Sequence, residues 1–183
     1  MSKKPSLAAI HCVKDLPVDH FLADIVTRAR EEGLRVTGFL QHRGAQTDEC
    51  CRTISIEHID SGEVRLISQP LGTGSSGCRL DPAALADIAA ELLAELDRPT
   101  DLLILNRFGK GECEGHGLRA VIETAFARGV PVLTVVRDTY ANGWCDFAGE
   151  FGVLLTANQQ SIAGWFNAHI SRRTQVLQDA FSQ

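Results

Sequence analysis

Hydrophobic positions fall along this chain in short runs separated by segments with helical spacing. Leu7–Val13 is a short, largely apolar run, the length of a buried strand rather than a helix. Phe21, Leu22, Ile25 and Val26 then recur at helical spacing, with Asp15 or Asp19 placed to cap that helix and Gly33 to stop it. Arg35–Gln41 reads as the next strand. Thr53–Ile59 and Glu63–Ser68 flank Asp60-Ser61-Gly62, a hairpin signal. Leu71–Arg79 reads as a Gly/Ser loop. Asp81-Pro82 opens a helix to about Asp97, with the aspartate as N-cap and the proline at the first helical position. Asp101–Asn106 is a second buried strand, followed by a Gly-rich loop from Gly109 to Gly117. Leu118–Arg128 reads as a helix ended by Gly129, and Pro131–Val136 as a third buried strand. A weaker strand over Gly152–Leu155 and a helix over about 158–181 complete the pattern.

Strands alternating with helices predict an α/β fold in one domain over residues 1–183. Its sheet is mostly parallel and covered on both faces, with an antiparallel hairpin inserted over about 50–70. Ligands of such open sheets bind beyond the carboxyl ends of the strands. The expected site is therefore the end that carries the two Gly-rich loops.

Composition narrows the class. At 183 residues and 44% apolar the chain can bury one proper core. Its 18 Lys and Arg against 23 Asp and Glu give a net charge of −5. That balance argues against a nucleic-acid binder whose affinity comes from neutralising many phosphates. No apolar run approaches the ~18 residues of a membrane span, and Met1–Pro5 leads into no signal-like segment. The six cysteines are scattered through an α/β core and read as reduced thiols, which with the rest points to the cytoplasm.

Three segments carry candidate chemistry. A phosphate cradle needs glycines after the first strand, then a lysine and a hydroxyl. The connection here, from His11 to Asp19, has Lys14 but no glycine. In Leu71–Arg79, the small residues Gly72, Gly74, Ser75, Ser76, Gly77 and Cys78 let backbone amides converge on an anion that Arg79 could clamp. Past the second strand, Asn106, Arg107 and Lys110 offer an amide and two cations, while Glu112 and Glu114 could orient water, hold a cation or pair with those bases. Cys50, Cys51, Cys78 and Cys113 are the candidate soft metal ligands, although no C-x-x-C spacing supports a zinc site. Trp144, Trp165 and Phe166 read as packing residues.

The segment Gly77-Cys78-Arg79-Leu80-Asp81, followed by Leu105-Asn106-Arg107-Phe108-Gly109-Lys110 and Glu112-Cys113-Glu114-Gly115, resembles a bacterial domain-of-unknown-function family. That family is related to small P-loop nucleoside-triphosphatases, and its members are often labelled molybdenum-transport-associated. The resemblance runs from the first strand to about Leu155. It implies a P-loop NTPase-like three-layer sandwich with a five-strand parallel core, and a ligand site where Arg79, Asn106 and Lys110 converge. It supplies no activity. This chain lacks the glycine-lysine-hydroxyl phosphate loop and has Asn106-Arg107 where an acidic pair would follow the strand, so its phosphate loop reads as degenerate.

The leading expectation is a non-catalytic cytoplasmic accessory protein that binds molybdate, tungstate or a phosphate-bearing ligand such as a nucleotide. Its partners would be molybdate-transport or molybdoenzyme-maturation proteins, or a second copy of the chain. The alternatives are a triphosphatase using Lys14 with Glu112 or Glu114, and an interaction subunit that docks through Trp165 and Phe166.

Overall fold

The computed structural model describes residues 6–13, 16–43, 54–70 and 78–169. Its strands are β1 (Leu7–Cys12), β2 (Val36–Arg43), β3 (Ile54–His58), β4 (Val64–Leu66), β5 (Ser68–Pro70), β6 (Cys78–Leu80), β7 (Leu102–Phe108), β8 (Val132–Arg137) and β9 (Gly152–Thr156). The helices are α1 (Asp19–Glu31), α2 (Pro82–Glu95), α3 (Lys110–Cys113), α4 (Arg119–Ala127), α5 (Ala141–Ala148) and α6 (residues 159–169). One seven-stranded sheet runs in the order β4-β3-β2-β7-β8-β1-β9. Strands β2, β7, β8, β1 and β9 are parallel, which is the expected five-strand core. The hairpin β3–β4 pairs antiparallel onto β2 and extends that sheet to seven strands.

Alternation along the central strands sorts side chains into two apolar layers, because successive residues of a strand face opposite ways. Leu103 and Leu105 of β7 join Val132 and Val136 of β8 on one face, under Ile88 and Leu92 of α2, Val121 and Ile122 of α4, and Trp144 of α5. Leu102, Ile104, Leu133 and Val135 join Ala8 and Ile10 on the other face, under Leu22, Ile25 and Val26 of α1 and Ile162, Trp165 and Phe166 of α6. The result is helix, sheet, helix. Trp165 and Phe166 are 7% and 1% exposed. They are spent on the core, so docking a partner through those two rings is corrected: their apolar surface already covers the sheet.

Local signals account for most boundaries. Asp81 caps α2 as expected, its carboxylate accepting from the amides of Ala83 (2.9 Å) and Ala84 (3.4 Å), with Pro82 at the first helical position. Three expectations change. Val18 occupies the N-cap of α1 without a side-chain cap, and Asp19 is the first helical residue. The stretch read as loop through Arg79 ends earlier, because Cys78–Leu80 turns back to pair with Ser68–Pro70 as a small ribbon. Helix α5 had no sequence reading: Asn142 and Gly143 are poor helix formers, and burial of Trp144 and Ala148 one turn apart organises it instead.

The hairpin is stapled to α2 by polar contacts. His58, 7% exposed, meets Glu95 Oε1 at 2.5 Å through Nε2. The Ser61 backbone N–H donates to His58 Nδ1 at 3.1 Å, so Nδ1 is an acceptor and the ring proton sits on Nε2, facing Glu95. Arg65 bridges Glu63 (2.8 and 3.0 Å) and Glu91 (2.6 Å). Its guanidinium holds the Glu63 carboxyl below the ordinary carboxylate range. No helix among the described residues is long and apolar enough to cross a membrane.

Gly38 sits in the middle of β2 at φ +134°, opposite Ile104. An added Cβ would overlap the Ile104 carbonyl oxygen. Gly38→Ala is expected to cost about 3 kcal/mol or more, combining backbone strain with overpacking against a central strand. Urea unfolding measures this, and a loss below about 1 kcal/mol would mean that the two strands separate easily.

Candidate anion site at the carboxyl end of the sheet

The site begins with a register fault. Leu105 of β7 pairs with Thr134, but the next paired residue is Phe108, opposite Val136. Strand β7 thus carries one residue more than β8, and Asn106-Arg107 forms the bulge. Without it, alternation would send Arg107 into the apolar layer with Leu103 and Leu105. Phe108 takes that place instead, stacking edge-on with Trp144 at 5.2 Å. Both polar residues are freed toward α1. Bulges of this kind re-aim side chains at strand ends.

They meet Asp19, on the first turn of α1. Asn106 Nδ2 donates to Asp19 Oδ1 at 3.1 Å, and Arg107 Nη2 donates to Oδ1 at 3.1 Å and Oδ2 at 3.4 Å. The Arg107 side chain is 17% exposed and that of Asp19 37%. Two polar atoms of the cluster, Asn106 Oδ1 and Arg107 Nε, are buried without a partner among the described residues. A buried unmet donor or acceptor costs about 1–3 kcal/mol. Asp19 was read from sequence only as a cap. A clue to its site role was its place at the carboxyl end of β1 opposite a strand that ends in Asn-Arg. At the same end, His11 Nε2 lies 3.0 Å from Asp138 Oδ1.

The second Gly-rich loop is more ordered than a plain connector. It holds the single turn α3, and Glu112, 9% exposed, closes the loop on itself. Its carboxylate accepts from the backbone N–H of Gly109 and of Leu118, both at 2.9 Å. Gly117, at φ +63°, has no room for a side chain because Glu112 Oε1 fills that space. Lys110 is exposed at the start of α3, 3.7 Å from Glu114, and Glu114 also lies 3.5 Å from His116. Glu112 is therefore committed to backbone amides, whereas Lys110 and Glu114 remain available on the surface.

The first Gly-rich loop enters through its stems. Ile54 pairs with Arg43, the last residue of β2, and its N–H donates to Ser68 Oγ at 2.9 Å. Ser68 stands opposite Leu80, and Asp81 N–H donates to the Ile67 carbonyl at 2.9 Å. Both stems are thus rooted at the sheet end where β7 finishes. Cys78 and Arg79 lie on β6, while Gly72, Gly74, Ser75, Ser76 and Gly77 lie outside the described residues, as do Lys14, Cys50 and Cys51. Among the described residues no group of His, Cys, Asp and Glu is arranged to hold a metal ion. Burial, together with the Glu112 and Glu114 carboxylates, pushes the Cys113 thiol above its ordinary pKa.

Two outcomes follow from this geometry. Glu112→Ala strands two part-buried amides and is expected to lose about 1–3 kcal/mol, with hydrogen exchange at Gly109 and Leu118 accelerating first. Unaltered exchange at those two amides would show that the carboxylate does not hold the loop. Iodoacetamide at about pH 8 is expected to modify exposed Cys145 well before Cys113; comparable rates by peptide mass mapping would contradict the burial of Cys113.

The chain was compared with known proteins. The family model described as "Protein of unknown function (DUF2478)" matches residues 7–165. A curated relative from Bradyrhizobium diazoefficiens, named molybdenum import ATP-binding protein ModC 2, is 34% identical over 164 residues. That match takes in 88% of this chain but only 18% of the relative. No solved structure matches the chain. Five parallel strands between two helical layers, together with a relative named as ATP-binding, make the fold a P-loop NTPase-like three-layer sandwich. With its family model spanning β1 to α6, the chain belongs to the DUF2478 family of proteins of unknown function.

Proposed function

We propose that this protein is a non-catalytic cytoplasmic accessory protein of molybdenum metabolism, which binds a small oxyanion or a phosphate-bearing ligand beyond the carboxyl ends of β1, β7 and β8. The observation that carries this reading is the Asn106–Arg107 bulge. It sets a guanidinium and an amide at the ligand end of a parallel sheet, with Arg107 Nε and Asn106 Oδ1 buried and unmet. A guanidinium there suits an oxyanion, since charge-assisted N–H···O⁻ bonds are roughly twice as strong as neutral ones. Arg79 on β6 and Lys110 on α3 are the further cations of this reading, and the amides of Gly72–Gly77 its backbone donors.

Triphosphate hydrolysis is the weaker reading. The segment from His11 to Asp19 has no glycine, so it lacks the close-packed turn that lets amides converge on a phosphate chain. The first turn of α1 presents the Asp19 carboxylate, which is already paired with Asn106 and Arg107. Asn106-Arg107 stands where a metal-binding carboxylate would follow β7. The molybdenum link rests on the name of the 34% identical relative, of which this chain spans under a fifth, and partners among molybdate-transport or molybdoenzyme-maturation proteins belong to the same proposal.

The test is calorimetric titration of the reduced, metal-stripped protein with molybdate, tungstate, phosphate and Mg-ATP. Saturable binding of at least one oxyanion is expected, with Arg107→Ala and Arg79→Ala each weakening it about tenfold or more, and no turnover of Mg-ATP. Silence from all four ligands, or turnover of Mg-ATP, would overturn the reading.

A further inference from the structure

The polar inventory at the bulge specifies its ligand more narrowly than "anion". Asp19 is an acceptor with no proton to give, so the Asn106 side chain must turn Nδ2 toward it, as the 3.1 Å contact shows. That choice leaves Oδ1, an acceptor, as the buried atom without a partner. Arg107 donates to Asp19 through Nη2 alone, which leaves Nε–H as a buried donor without a partner. One unmet donor and one unmet acceptor thus sit on adjacent residues of the same bulge. A ligand that satisfies both brings an anionic oxygen for Arg107 Nε and an O–H for Asn106 Oδ1.

A fully ionised tetraoxo anion cannot do this. Sulfate and molybdate at neutral pH offer acceptors only, so an oxygen of theirs would be set against the Asn106 carbonyl and the Asp19 carboxylate with no hydrogen between. Leaving a buried acceptor unpaired costs more than a mean hydrogen bond is worth, and sites built around such groups discriminate strongly against analogues that lack the matching one. Inorganic phosphate keeps a proton near neutrality, whereas a phosphate monoester, with its second pKa near 6, is largely without one.

We infer that the Asn106–Arg107 seat selects a protonated tetrahedral oxyanion, hydrogen phosphate, over sulfate, molybdate and tungstate. Arg107 Nε holds one of its charged oxygens and Asn106 Oδ1 receives its hydroxyl, while Asp19 keeps both side chains in place. This inference rests on the anion-binding reading and narrows it to the phosphate-bearing class.

The experiment is titration of the full chain at about pH 6.5 with inorganic phosphate, sulfate and molybdate, for the native protein, Asn106→Leu and Arg107→Lys. Native protein is expected to bind phosphate about tenfold or more tighter than the other two anions. Asn106→Leu, which keeps the shape and loses the acceptor, brings the phosphate-to-sulfate ratio toward one. Arg107→Lys, which keeps the charge and loses Nε–H, weakens phosphate binding about tenfold. Molybdate or sulfate binding as tightly as phosphate overturns the inference while the anion-binding reading stands. Binding of none of the three overturns both. Should Asn106→Leu fail to fold by circular dichroism, the native selectivity ratio decides alone.

Discussion

Strand β7 carries one residue more than β8 can pair, and the consequences of that insertion reach every part of the candidate site. In a central parallel strand the pleat dictates side-chain direction, so a polar residue can leave an apolar layer only if the register breaks. The bulge at Asn106-Arg107 breaks it at the carboxyl end. Phe108 then closes the layer against Trp144, while both polar residues reach Asp19 on α1. The same local change completes the core on one face and assembles a charged cluster on the other.

Around that cluster the protein separates rigid support from reactive surface. Glu112 is buried and consumed in holding Gly109 and Leu118, so the loop after β7 has a fixed shape although a quarter or more of its residues are glycine. Glu63, Glu91, Glu95, His58 and Arg65 tie the added hairpin to α2, which holds the edge of the sheet where the first Gly-rich loop is rooted. Glu112 stands out in the sequence as candidate chemistry and acts as a fastener in the structure. At the bulge, Asn106 Oδ1 and Arg107 Nε have no partner among the described residues.

The family assignment sets a frame without supplying a reaction. A P-loop NTPase-like sandwich normally places a phosphate chain on the amides after β1. This chain instead has a glycine-free connection there and an internal carboxylate on the first turn of α1. The relative named for ATP binding and molybdenum import is matched over 18% of its length, and a shared scaffold does not by itself carry a shared ligand.

The order of elements, the five parallel strands, the hairpin at Asp60-Ser61-Gly62 and the Asp81-Pro82 helix start were legible in the sequence, because each rests on local periodicity, turn chemistry or capping within a few residues. Helix α5 was not, since its residues are poor helix formers and only burial of Trp144 organises them. The ribbon through Cys78–Leu80 escaped for the same reason: pairing with Ser68–Pro70 is a non-local gain that a Gly/Ser-rich segment does not advertise. Asn106, Arg107 and Lys110 could be singled out by type and position. Whether they work together could not, and the structure joins the first two with Asp19, 87 and 88 residues away in the chain, while leaving Lys110 beside Glu114. Sequence by itself determined the strands and helices that rest on local periodicity and capping; tertiary structure decided α5, the β5–β6 ribbon and which polar groups meet, because burial, a one-residue register shift and long-range contact leave no periodic trace along the chain.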